Sequence, residues 1–199
     1  MSELKNLSAG LTDPVHDAQH AFKRALDALS MPGRSLALGQ QIEGLSLGPA
    51  MAQLLLALSD DETPVWWQSC LIDEADWLRF HTGAAQTDNA QTASFVVITN
   101  AAVMPALSGF AIGSSESPEQ SSTLLIEVPS LVTGPAIALY GPGIASTQTV
   151  HIAGLPDDFW SQWNANHARF PQGVDIIFTS GCQALGLPRS TRARRLEKI

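Results

Sequence analysis

Apolar and polar positions recur along this chain with two different periods, and each change of period marks an element. Between Asp13 and Ser30, the residues Val15, Ala18, Phe22, Ala25, Leu26 and Leu29 fall on one stripe at about 100° per residue, which predicts an amphipathic helix with that stripe inward. Asp13 suits the N-cap, and Pro14 suits the first helical position because its missing N–H has no intrahelical partner there. Ser30 to Gly33 ends the helix: Pro32 pushes Met31 out of the α region and Gly33 permits the exit turn. A loop with Gly39, Gly44 and Gly48 leads to a second helix, about Pro49 to Leu58. Asp60 to Pro64 reads as a turn, Val65 to Gln68 as a strand, and Ile72 to Phe80 as a helix with Ala75, Leu78 and Trp77 inward.

Ala93 to Thr99 is rich in β-branched and aromatic residues and predicts a buried strand. Residues 101–120 read as a short helix broken at Pro105, followed by a Gly/Ser-rich loop. Four further strands are expected at Thr123 to Val128, Ala136 to Tyr140, Thr147 to Ile152 and Val174 to Thr179. A helix at about Asp157 to Ala168 lies between the last two, with Phe159, Trp160 and Trp163 toward the sheet. Helices and strands alternate early, while strands run consecutively later. That order predicts an α/β fold: a three-layer arrangement of a mixed sheet covered by helices.

The run Ala136 to Tyr140 stops abruptly at Gly141-Pro142-Gly143. Pro142 pre-sets φ for the second position of a type II turn and Gly143 supplies the positive φ at the third, so the backbone reverses by Ile144. The turn either simply connects two strands or presents outward amide groups that hold an anion.

Composition narrows the class. At 199 residues, 45% hydrophobic and 15% charged, the chain fits one globular domain over 1–199. No leader or membrane span is expected, and Cys70 and Cys182 are isolated, which suits a reduced cytoplasmic setting. The net charge of −8 argues against a nucleic-acid binder. Five of the eleven cations, Arg189, Arg192, Arg194, Arg195 and Lys198, crowd the last eleven residues, leaving six cations against eighteen acids in residues 1–188. This basic tail, 189–199, reads as a solvated end or as a docking segment for an acidic partner or a phosphate.

Candidate chemistry is sparse. No glycine is followed by lysine, so a Walker nucleotide loop is excluded. The three lysines are Lys5, Lys23 and Lys198, two near the ends and one beside the polar side of the first helix, so a Schiff-base enzyme is not expected. His16 and His20 share a helix face but sit on its polar side, and a solvated face is the reading there rather than a metal site. No Gly-x-Ser-x-Gly elbow occurs. Cys182 reads as a structural thiol, and His81, His151 and His167 as scattered single residues. Arg189, after Pro188, and Arg34, past the first helix, are candidate oxyanion clamps or ordinary salt-bridge partners. No catalytic residue and no metal site emerges, which points to a binding or assembly subunit.

Several spacings taken together resemble one family, the phosphonate-metabolism protein PhnH, the H subunit of the carbon–phosphorus lyase system. The matching pieces are Asp13-Pro14-Val15 with Gln19 and Phe22, Ala28 to Gly33, Leu58, Asp60 and Thr63 before Val65-Trp66, and Trp77 to Gly83. They continue with Pro118 to Ser122, Gly141 to Ile144, Phe170 to Asp175 and Leu187 to Thr191, so the resemblance covers about residues 12–191. It implies a homodimerising subunit with a fold like the large domain of pyridoxal-phosphate-dependent transferases, without the cofactor. It implies partnership with the G, I and J subunits and functional cooperation with the L protein. The assembly it implies transfers the ribose triphosphate of Mg-ATP to an alkylphosphonate with release of adenine, the I subunit carrying the chemistry. The resemblance carries over no catalytic residue. The alternatives are a phosphonate- or nucleotide-binding module acting through the Gly141 turn and Arg189, and a stand-alone transferase using a phosphate cofactor or metal.

Overall fold

The computed structural model describes residues 8–196. Its helices are α1 (Pro14–Ser30), α2 (Pro49–Leu58), α3 (Ile72–Thr82) and α4 (Phe159–His167). The strands are β1 (Ser35–Ala37), β2 (Val65–Trp67), β3 (Phe95–Ile98), β4 (Thr123–Glu127), β5 (Ala136–Tyr140), β6 (Gln148–His151), β7 (Asp175–Ser180), β8 (Gln183–Leu187) and β9 (Arg192–Arg195). Residues 101–120 form three short 3₁₀ turns, at Ala101–Val103, Leu107–Gly109 and Pro118–Gln120, where one short helix was expected.

Six strands make a mixed sheet in the order β1-β8-β7-β4-β3-β2. β2, β3, β4 and β7 run parallel, while β8 and β1 are antiparallel to their neighbours. Side chains alternate across this sheet with period two. Val97, Leu125 and Ile177 face a core built with Met51, Leu54 and Leu55 of α2 and Trp77 of α3. Val96, Ile98, Leu124, Ile126, Ile176 and Phe178 face the opposite core, which Ile137, Leu139, Phe159 and Trp163 complete. The mixed α/β sheet is as expected, but its covering differs. Helices α1, α2 and α3 cover one face, and a second, antiparallel sheet (order β6-β5-β9) with α4 covers the other.

Two readings of the pattern are corrected. Of the predicted inward stripe of α1, Ala25 is buried and Leu29 packs against the core, but Val15, Phe22 and Leu26 are 62%, 50% and 53% exposed, and Ala21 and Ala28 are buried beside Ala25. The reason is a close approach. A Cβ added at Gly186 of β8 would lie 2.3 Å from the carbonyl oxygen of Ala28, so the helix backbone rests on the strand and admits only small side chains between them. The basic tail is also not a free end. Arg192–Arg195 pairs with β5, from Tyr140 opposite Arg192 to Ile137 opposite Arg195, and Ala193 is buried in the core. Its outer edge is closed by α4: the Asn164 side chain donates to the Ala193 carbonyl (2.9 Å) and accepts from the Ala193 amide (3.2 Å). That satisfies an edge that would otherwise invite another strand. Residues 197–199, Lys198 included, lie outside the described residues, as does Lys5. No helix among the described residues is long and apolar enough to cross a membrane.

Candidate functional site

The Gly141 turn forms as its residues dictate: Ile144 N–H donates to Gly141 C=O (3.2 Å) and Gly143 has φ of 80°. It is wedged between two other loops. A Cβ at Gly143 would stand 2.1 Å from the Ser30 carbonyl and 2.9 Å from Pro32 Cδ, and one at Gly141 would stand 2.9 Å from the Ser190 carbonyl. The exit of α1, the β5–β6 turn and the Pro188–Thr191 loop therefore meet in backbone contact. Glycine at 143 is required twice, by its φ and by the space.

Arg189 anchors this junction from below. Its Nε donates to both carboxylate oxygens of Asp175 (3.1 Å each), and Nη2 donates to Asp175 and to the Ser121 hydroxyl. Nη1 donates to the carbonyls of Pro118 (2.9 Å) and Pro171 (3.3 Å), and the Arg189 amide donates to Asp175 Oδ1 (2.7 Å). Each N–H-bearing nitrogen of the guanidinium is thus spent inside the protein, and the pair is largely buried (14% and 20% side-chain exposure). Arg189 binds three loops to the start of β7.

Beside the turn lies an open groove of about 600 Å³ lined by Pro142, His167, Ala168, Phe170, Ser190 and Arg192. His167 links its walls. Its Nδ1 stands 2.9 Å from the Arg189 carbonyl, and Arg192 Nε donates to its Nε2 at 3.0 Å. Both bonds are satisfied by the ring with its proton on Nδ1. The cavity of about 620 Å³ between Ser8–Thr12 and Gln40–Gly44 carries Asp17 and Glu43, and that of about 520 Å³ near Thr63 carries Glu62 and Glu119. Among these spaces the groove is the one whose charged groups suit an anion.

Open α/β sheets commonly hold ligands at the carboxyl ends of their parallel strands; here a cavity of about 260 Å³ opens past β2 at Trp66 to Leu71, while the end of β4 is closed. Glu127 at the end of β4 lies beneath the N-terminus of α2. A Cβ at Gly48 would come within 2.4 Å of its Oε1. Burial raises the Glu127 carboxyl above the usual glutamate range, against the lowering effect of the Gly48 amide that donates to it. A phosphate favours such a helix terminus, and here the chain's own carboxyl group fills the place.

The family of bacterial phosphonate metabolism proteins (PhnH) matches residues 9–194, which is nearly all of the described chain. The chain belongs to the PhnH family. It is 36% identical over 191 residues, covering 94% of its own length and 96% of the relative, to the alpha-D-ribose 1-methylphosphonate 5-triphosphate synthase subunit PhnH of Rhizobium meliloti (strain 1021). It is 31% identical over 173 residues, covering 87% of its length and 84% of the relative, to the putative C-P lyase subunit protein HtxG of Stutzerimonas stutzeri. The match extends past Thr191 to residue 194, in keeping with β9 as part of the body.

Of the residues singled out in the sequence, the fold brings Gly141, Pro142 and Gly143 against the loop that carries Arg189. Arg34 stands apart at the head of β1, exposed, with Nη1 3.1 Å from the Met31 sulfur. His16 and His20 are exposed on α1, and His16 pairs with its own N-cap, Asp13, at 2.8 Å. Among the described residues no three His, Cys, Asp or Glu side chains cluster as metal ligands would. The sequence reading missed Asp175 as the partner of Arg189, and His167 and Arg192 as groove residues. Phe170 to Asp175 stood among the family pieces, and the Arg-Ala-Arg alternation at 192–194 is the signal that would have placed two arginines on one strand face.

Proposed function

We propose that this chain is a subunit of the assembly that makes a ribose 1-alkylphosphonate 5-triphosphate in phosphonate catabolism, and that its role is assembly and binding. The observation that carries this is the family match over residues 9–194 together with the 36% identity across 94% of the chain to a synthase subunit. In the assembly, the ribose triphosphate of Mg-ATP passes to an alkylphosphonate and adenine leaves, with the bond-making groups on a partner. Gly141, Pro142, Gly143 and Arg189 act here as shape-defining residues: their groups are spent on holding three loops together. Arg34 has no assigned ligand in this reading.

The proposal includes a homodimer, contacts with the G, I and J subunits, cooperation with the L protein, and a cytoplasmic setting. It also treats the fold as akin to the large domain of pyridoxal-phosphate transferases without that cofactor. Two features support the reading that no such cofactor binds. Lys23, the lysine within the described residues, is exposed on α1 and so is poorly placed for a desolvated Schiff base. Glu127 fills the helix terminus where a cofactor phosphate would gain most.

Co-expression with the G, I and J subunits tests the assembly. A tagged copy of this chain is expected to retain all three through size-exclusion chromatography. Elution of the chain by itself, with the other three still joined to each other, would contradict a place in the assembly.

A further inference from the structure

Of the arginines at and just before β9, Arg189 is spent inside the protein, while Arg192 and Arg194 are held ready. Arg189, just before the strand, has its guanidinium nitrogens engaged by the protein. Arg192 and Arg194 face outward on either side of buried Ala193. Among the described residues neither makes an ion pair. Both are nonetheless oriented. Arg192 is fixed through Nε to His167, itself fixed to the Arg189 carbonyl, which leaves both terminal nitrogens of its fork free. The Arg194 guanidinium lies over the Tyr140 ring, 5.9 Å from its centroid. A merely solvated arginine needs no such support, and an arginine held in place loses less entropy when it binds.

Arg192 lines the groove beside Pro142, whose volume of about 600 Å³ falls within the range of about 300–1,000 Å³ typical of small-molecule sites, and Arg194 follows two residues on along the same strand face. Residues two apart on one strand face lie about 7 Å from each other. That spacing suits charge spread along two or three linked phosphates better than a single phosphate. Phe170 stands on the groove wall with 60% of its surface exposed, a ring face on which a planar base stacks. On a chain of net charge −8, this end is also where the exposed cations Arg192, Arg194 and Arg195 follow one another along β9, the first two on one face.

We propose that Arg192 and Arg194, with the Phe170 groove, bind the polyphosphate chain of a small phosphorylated molecule. The choice of a triphosphate rests on the proposed place of this chain in a 5-triphosphate synthase; the site itself rests on the geometry. The source is either a nucleoside triphosphate or the ribose 5-triphosphate product, and Phe170 separates them, since stacking serves only the ligand that carries a base.

The test is calorimetric titration of the full chain with inorganic triphosphate, with ATP, and with an octaglutamate peptide. Both phosphates are expected to bind. Arg192→Ala and Arg194→Ala should each weaken both by roughly 10- to 100-fold, the scale of a lost charged hydrogen bond. Arg79→Ala, which removes an equal charge on α3, should leave binding unchanged. Phe170→Ala should weaken ATP alone if the base stacks there, whereas equal weakening or none assigns the site to the ribose triphosphate. No heat with either phosphate overturns the proposal, as does an equal loss in Arg79→Ala. Octaglutamate binding as tightly as triphosphate overturns it too, and makes the patch a surface for an acidic partner. Loss of triphosphate binding with co-purification intact removes the site and leaves the subunit role standing; the reverse result removes the role and leaves the site.

Discussion

Arg189 shows how one side chain can hold several loops. Its guanidinium meets Asp175, Ser121 and the carbonyls of Pro118 and Pro171, and no smaller cation reproduces that fork. Arg189→Ala leaves the Asp175 carboxylate largely buried and unpaired, a change that costs roughly 3–5 kcal/mol for fully buried pairs. A loss of about 3 kcal/mol is expected in urea unfolding, with Arg189→Lys recovering less than half of it; a loss below 1 kcal/mol would contradict the clamp. Arg189 stood out in the sequence because Pro188 and Ser190-Thr191 frame it. Its saturation by the protein was not legible there, because its partners lie 14 to 71 residues away. Glu127 makes a second residue-scale claim. Its folded carboxyl titrates above the unfolded value, so its contribution to stability is present below the usual glutamate range. It is lost as pH rises through the raised folded value. Glu127→Gln should therefore melt higher than the parent at pH 8, with the difference shrinking toward pH 4. A difference that stays constant between those pH values would rule this out.

At the scale of elements, each long periodic segment was legible, and the errors share a cause. The period of α1 is correct and so is its Asp13 cap, which accepts from the amides of Val15 and His16. Its inward face was assigned to the stripe of Val15, Ala18, Phe22, Ala25, Leu26 and Leu29, because burial usually follows apolar area. Contact with Gly186 turns the face toward Ala21, Ala25 and Ala28 and away from Val15, Phe22 and Leu26, since a helix lying on a strand backbone favours small side chains at the approach. The paired substitutions Ala25→Leu and Leu26→Gln test the phase. The first overpacks a buried face and should cost about 1–3 kcal/mol. The second changes an exposed side chain and should stay within about 0.5 kcal/mol in the isolated chain; a larger loss from Leu26→Gln than from Ala25→Leu would put Leu26 inward, contrary to the fold. Strands β1, β8 and β9 escaped the reading for a related reason. β1 is three residues long, Gly186 weakens the strand signal of β8, and the arginines of β9 look solvated until Asn164 and Tyr140 are seen to engage that strand and its side chains.

For the whole molecule, the mixed α/β class was readable from the order of elements, whereas the second sheet was not. β9 joins β5 across the 51 residues between the paired Tyr140 and Arg192, a long-range pairing that no local period records. Function was legible through the order of the family pieces, several of which meet in space around the Gly141 turn and Arg189. The resulting picture is a subunit whose loops are locked together at one end, next to a groove lined by the oriented Arg192, with Arg194 held over Tyr140 two residues on. The most direct test of its role is the rate of adenine release from Mg-ATP and methylphosphonate by the reconstituted G, I and L proteins, with and without this chain. The account predicts release that depends on adding the chain and saturates at a fixed ratio to its partners. The same rate in its absence would contradict it.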